Sequence, residues 1–173
     1  ENITWNGLYR KVCKLSTYLK TLNLKKGDRV AAYVPNKIES IISFLACAKN
    51  GLIWSSCSPD FGSKGVIDRF QQIEPKILIT SDYYFYNGKK INILEKVNKI
   101  LEAIPSINEV LVFSYNKKEN LNLKNFKNFK DFDEVLNQST MDETFERFEF
   151  DHPIYILYSS GTTGKPKCIT HGA

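Results

Sequence analysis

The sequence predicts an α/β protein with a mostly parallel sheet and flanking helices, and three observations point there. Short apolar runs at residues 29–34, 52–55, 76–80 and 109–113 alternate with segments whose apolar residues recur every three or four positions. The runs are apolar nearly throughout rather than at every second residue, as in strands covered on both faces of a sheet. The order strand, helix, strand over residues 29–55 forms a βαβ unit, which requires parallel pairing and a right-handed crossover. With 173 residues, 42% hydrophobic and 25% charged, the chain has the size of one domain and enough apolar surface for a core.

Each element follows from local signals. Thr4 precedes Trp5, Leu8, Val12, Leu15, Leu19 and Leu22, so it is read as the N-cap of an amphipathic helix. A turn at 24–28 leads to the first strand, Arg29 to Val34, stopped by Pro35. Asn36 is the expected cap of a second helix carrying Ile38, Ile41, Ile42, Leu45, Ala46 and Ala48, ended by Asn50-Gly51. A strand from Leu52 to Ser55 runs into a loop, Ser56 to Gly62, too rich in turn formers for regular structure. Ser63 is the expected cap of a short helix with Val66, Ile67, Phe70 and Ile73 inward, closed by Glu74-Pro75. The third strand is Lys76 to Thr80, followed by a tyrosine-rich stretch to Lys90 and a helix from about Asn92 to Ala103. The fourth strand is Glu109 to Phe113. Ten of the seventeen residues from Ser114 to Lys130 are Asn or Lys, so 114–130 reads as a solvated insertion or loop. Asp131 to Asn137 suits a helical turn, Met141 to Phe150 is ambiguous, and Ile154 to Leu157 is the last buried strand, with Lys167 to Thr170 able to pair back as a hairpin.

Composition narrows the function classes. No apolar run approaches the ~20 residues of a membrane span, and Glu1-Asn2-Ile3-Thr4 does not open like a signal peptide, so a soluble, cytoplasmic protein with no membrane partner is expected. Cys13, Cys47, Cys57 and Cys168 are widely spaced without a C-x-x-C pair, which leaves reduced thiols that mostly pack and no zinc or redox motif. The net charge of +5 suits phosphate-bearing ligands but forms no basic stripe. The absence of an initiating Met and the stop at Ala173 suggest a fragment of a longer protein.

The chemistry concentrates in Tyr158 to Gly172, YSSGTTGKPKCITHG, placed directly after the last strand. Glycines permit a turn and close approach to a ligand, successive N–H groups form an anion-holding concavity, hydroxyls donate, and lysines neutralise charge. Known alternatives are excluded. Gly161 to Gly164 is too short for a Walker loop and Lys165 is followed by Pro166; there is no G-x-G-x-x-G or G-x-S-x-G, and His152 and His171 are the only histidines.

Ser160-Gly161-Thr162-Thr163-Gly164-Lys165-Pro166-Lys167 resembles the phosphate-loop signature of the adenylate-forming acyl-CoA synthetases. Trp54 to Gly62, with Val66-Ile67-Asp68-Arg69-Phe70 and Gln72-Ile73-Glu74-Pro75-Lys76, is similar to the acetoacetate-ligating branch of that family. Thr4-Trp5, Gly27-Asp28-Arg29-Val30 and Tyr33-Val34-Pro35-Asn36 fit the wider group. The resemblance implies that residues 1–173 are the front portion of the large N-terminal domain of an adenylate-forming enzyme, a partial AMP-binding domain that stops just after the phosphate loop.

It further implies a two-step ligation with ATP, Mg²⁺ and coenzyme A: acetoacetate and ATP form an acyl-adenylate, and the CoA thiol displaces AMP. Matched residue by residue, Ser159, Ser160, Thr162 and Thr163 would donate to phosphate oxygens, Gly161 and Gly164 permit the turn, and Lys167 supplies charge, with Lys165 at a variable position. Lys89, in the turn Tyr86 to Lys90 after the third strand, occupies the place of an arginine that contacts CoA in related enzymes; a solvated lysine is the alternative. Asp60 and Arg69 suit an ion pair as well as a substrate contact, and His171 receives no role. No catalytic residue and no metal ligand is expected in this stretch, because the adenylation lysine and metal-binding glutamate of the family lie downstream of the loop. The fragment alone is therefore expected to be inactive. The competing readings are a ligase for acetate or another short acid, a non-catalytic anion-binding or interaction module, and nucleic-acid binding through the Lys/Phe segment, against which no nucleic-acid partner is expected.

Overall fold

The computed structural model describes residues 2–119, 121–123, 126, 128–159 and 164–172. A seven-stranded sheet runs in the order β7-β6-β3-β1-β2-β8-β9, parallel at every pairing except the antiparallel β8–β9 edge. Its strands are β1 (Arg29–Tyr33), β2 (Ile53–Cys57), β3 (Ile77–Ser81), β6 (Glu109–Phe113), β7 (Phe129–Asp131), β8 (Tyr155–Tyr158) and β9 (Cys168–His171). A separate antiparallel hairpin pairs β4 (Tyr83–Tyr86) with β5 (Lys89–Asn92).

Alternation along the central strands assigns the helices to the two faces. Val30 and Ala32 of β1 join α1 (Trp5–Thr21), α2 (Ile38–Lys49) and α5 (Phe132–Gln138) in one core. Ala31 and Tyr33 join α3 (Ser63–Phe70) and α4 (Leu94–Ala103) in the other. The expected parallel sheet with helices on both faces is the observed architecture. Thr4 caps α1, its Oγ1 accepting from the Gly7 N–H at 3.1 Å. Helix α2 ends in a Schellman turn: Leu52 N–H donates to Cys47 O at 2.9 Å and Gly51 N–H to Ala48 O at 3.2 Å, with Gly51 at φ +65°.

Several local expectations shift. The N-cap of α2 is Lys37, not Asn36, and that of α3 is Gly62, not Ser63; neither makes a side-chain cap bond. Ser40 instead turns back, donating from Oγ to Pro35 O at 3.0 Å. Strand β2 continues through Ser56 to Cys57, because parallel pairing with β1 runs to Tyr33↔Cys57. Phe129 and Lys130 lie in β7 rather than in a loop, and Leu121, Leu123 and Phe126 pack on the α4-side core. Two of the lysines there are engaged: Lys117 bonds Glu39 and Asp133 at 2.9 and 2.6 Å, and Lys130 bonds Glu109 at 2.9 Å. Residues 139–150 form no helix or strand but wrap α1 and α2, with Lys49 Nζ donating to Thr144 O and Phe145 stacked on Tyr9. Among the described residues no helix is long and apolar enough to cross a membrane. Cys13, Cys47 and Cys57 are buried thiols and Cys168 is exposed.

Candidate functional site

Strand β8 pairs in parallel with β2 and ends at Tyr158, at the carboxyl ends of the parallel strands where the Ser58–Gly62 loop follows β2. In open α/β sheets this is the end where ligands bind. Beneath it, Ser55 Oγ donates to Ile156 O at 2.9 Å and lies 3.1 Å from the Tyr158 hydroxyl, so β8 is tied to β2 by side chains as well as by the ladder. Burial pushes the Tyr158 hydroxyl pKa well up, so it stays protonated as a hydrogen-bonding group.

Ser160, Gly161, Thr162 and Thr163 lie outside the described residues. The two limbs that frame them are described. Ser159 N–H donates to Lys167 O at 3.0 Å, and Lys167 N–H donates to Ser159 Oγ at 3.2 Å. Beyond this pair the antiparallel register runs Tyr158↔Cys168, Leu157↔Ile169, Ile156↔Thr170 and Tyr155↔His171, which is the hairpin expected from the sequence. Gly164 has φ +107° with open space where a Cβ would stand, so conformation rather than crowding requires glycine. Lys165 and Lys167 are both exposed.

The outgoing limb is also held from the turn that follows α3. Gln72 Nε2 donates to Pro166 O at 2.9 Å and to Asp68 O at 2.7 Å, while Gln72 Oε1 lies 3.7 Å from the Cys168 thiol. Arg69, one turn back, donates to Gly65 O at 2.7 Å and lies over the rings of Phe61, at 4.3 Å, and Tyr158, at 5.9 Å. Asp60 bonds Ser58 at 2.9 Å, and among the described residues it makes no ion pair with Arg69. Helix α3 thus joins the Ser58–Gly62 loop to the glycine-rich hairpin. Tyr33 completes the support, its hydroxyl donating to Pro59 O at 3.0 Å and Phe61 O at 2.6 Å.

Ser159, Gly164 and Lys167 therefore sit together. Lys89 does not join them. It opens β5 after a tight turn in which Asn87 and Gly88 both have positive φ, +47° and +74°. It is exposed at the same end of the sheet, but β3 is separated from β8 by β1 and β2. Its neighbour Lys90 is engaged, bonding Glu119 at 2.7 Å and covering the Tyr83 ring at 3.7 Å. His171 stacks on Tyr155 at 4.9 Å, and its carbonyl accepts from Ile154 N–H. Sequence reasoning placed Gln72, Ser55 and Tyr33 in segments that fit the family but assigned them no role, because their contacts join segments far apart in the chain.

An exposed ammonium on an immobilised backbone, beside a serine hydroxyl and a glycine turn, suits a polyanion. The described part of this hairpin supplies no carboxylate, and among the described residues no group of three or more His, Cys, Asp or Glu is placed to hold a metal ion. The donor set fits phosphate rather than Mg²⁺.

Comparison with known proteins places this geometry in context. The family described as AMP-binding enzyme matches residues 1–173. The chain is 42% identical to acetoacetyl-CoA synthetase of Xenopus tropicalis over all of its length, and 41% identical to that of Rhizobium meliloti (strain 1021) over 99%. It is 39% identical to malonamoyl-CoA synthetase vrtB of Penicillium aethiopicum over 99%. The chain spans 27%, 26% and 24% of these relatives, respectively. The solved acetoacetyl-CoA synthetase of Streptomyces lividans superposes with a TM-score of 0.90 at 36% identity, over 99% of this chain and 26% of that one. With the family model matched from end to end, the chain belongs to the AMP-binding enzymes.

Proposed function

We propose that this chain is the phosphate-gripping part of an ATP-dependent acid–CoA ligase, acting on acetoacetate through an acyl-adenylate. The observation that carries the reading is the Ser159–Lys167 frame, which presents a lysine beside a glycine-rich loop in an AMP-binding fold. In the first step a carboxylate oxygen bonds the α-phosphorus of ATP and the bond to the bridging oxygen of pyrophosphate breaks. In the second the CoA thiol adds to the acyl carbonyl and AMP leaves. Lys167 offsets the charge of the leaving pyrophosphate, and Ser159, Ser160, Thr162 and Thr163 donate to its oxygens around the turn at Gly161 and Gly164. Mg²⁺ carried with ATP would supply further charge neutralisation when bound. Lys89 is the proposed contact for the phosphorylated end of CoA, supported by its exposure at the same end of the sheet. Free thiols support a reducing compartment, the cytoplasm.

A second acid is supported by the similarity to malonamoyl-CoA synthetase. Acetoacetate and malonamate share a carbonyl β to the carboxylate and differ in a terminal methyl or amide. Adenylation by the full-length protein with acetate, acetoacetate and malonamate tests the reading: a preference for the two β-carbonyl acids is expected. Equal or faster turnover of acetate would replace acetoacetate by a simpler short acid, and no adenylation with any acid would leave an anion-binding module.

A further inference from the structure

We infer that Gln72 is a positioning residue for Lys167, clamping the outgoing limb of the phosphate loop onto the turn that ends helix α3; this rests on the ATP-ligase reading above. Lys167 stands between two residues that the same side chain contacts. The Gln72 amide donates to the carbonyl of Pro166 at 2.9 Å, and its oxygen lies 3.7 Å from the thiol of Cys168. On the opposite edge, Lys167 exchanges two hydrogen bonds with Ser159. The lysine backbone is thus braced by Ser159 at the end of β8 on one side and by the turn after α3 on the other, while its side chain is exposed.

The orientation of the amide is specified rather than arbitrary. Both Nε2 protons have carbonyl acceptors, Asp68 O in the last turn of helix α3 and Pro166 O across the gap. A flipped amide would set Oε1 against both carbonyls and direct the amine at the thiol, losing two bonds at once. Pro166 has no N–H of its own, so its carbonyl is its only backbone hydrogen-bonding group, and Gln72 takes it. The clamp acts on geometry: it fixes where the ammonium begins, and a charge that must meet a phosphate loses effect when its backbone drifts.

The test is Gln72→Met in the full-length enzyme, which keeps length and volume and removes the donor. The expected result is an about two- to tenfold rise in KM for ATP, unchanged KM for the acid and for CoA, and faster amide exchange at Gly164, Lys165, Lys167 and Cys168. An unchanged unfolding midpoint accompanies these, because Gln72 is exposed. Faster exchange with an unchanged KM for ATP would overturn the positioning role and leave the ligase reading standing. Equal rises in all three KM values with a lowered midpoint would overturn it in favour of a general structural role. An inactive wild type would overturn both readings.

Discussion

Ser159 and Lys167 close the glycine-rich loop by exchanging two hydrogen bonds, the serine N–H to the lysine carbonyl at 3.0 Å and the lysine N–H to the serine Oγ at 3.2 Å. The first is backbone only and survives any substitution except proline; the second depends on the hydroxyl. Ser159→Ala therefore removes one neck contact and one candidate phosphate donor. In the full-length enzyme, KM for ATP should rise about two- to tenfold, the equivalent of one modest hydrogen bond. Thermal unfolding should stay nearly unchanged, since the lost bond is exposed.

Gly51 ends α2 in the left-handed region at φ +65°, and a Cβ there would lie 2.5 Å from Cε1 of Phe148. Residues 139–150, which lead into β8, are seated by that ring, and His152 Nε2 reaches Gly51 O at 2.9 Å. Gly51→Ala combines a left-handed alanine with a ring clash and should destabilise the fold by about 2–4 kcal/mol. Chemical denaturation measures it. Adding Phe148→Ala should bring the double variant at least about 1 kcal/mol above the sum of the singles, because only the clash is shared.

Glu39 is buried on α2, 1% exposed, with Oε1 paired to Lys117 and Oε2 without a hydrogen-bond partner among the described residues. Lys117→Met would leave that carboxylate uncompensated and should cost about 1–3 kcal/mol, discounted because the lysine itself is partly exposed. Glu39→Gln in the same chain should recover part of the loss, as a neutral amide is easier to bury. Burial pulls the Lys117 pKa down, but hydrogen bonds to Asp133 and Glu39 outweigh it and the net shift is upward. The folded state therefore favours the protonated lysine. Its contribution is complete below the ordinary lysine pKa of about 10.4 and is lost as pH rises through the elevated value. Unfolding curves above about pH 10.4 should show this loss in the wild type and not in Lys117→Met.

The elements most legible in the sequence are those whose signals are local. Thr4 caps the helix it was expected to cap, Asn50-Gly51 ends α2, and β1, β3 and β6 lie at the expected apolar runs within a residue or so. The β8–β9 hairpin is legible because the glycine loop sits between two strand-like runs. The caps at Lys37 and Gly62 were missed because Asn36 and Ser63 have the better chemistry, yet chain geometry after Pro35 and Asp60 starts each helix one residue away. Asn87-Gly88 is a strong hairpin turn, and its strands went unread because the tyrosine-rich run carries no alternation. Residues 139–150 have no period of their own and take their path from Tyr9, Lys49 and Gly51. Within the site, Ser159 and Lys167 were legible from the motif, whereas Gln72 was not: its partner Pro166 lies 94 residues later.

The central claim is that this hairpin grips the phosphates of ATP during acid activation, and acetoacetate-driven ATP–pyrophosphate exchange by the full-length protein tests it most directly. Wild type should exchange, and Lys167→Ala should lose about 10- to 100-fold in kcat/KM for ATP, as expected for removing a charge-assisted contact. An unaltered rate in Lys167→Ala would contradict the account.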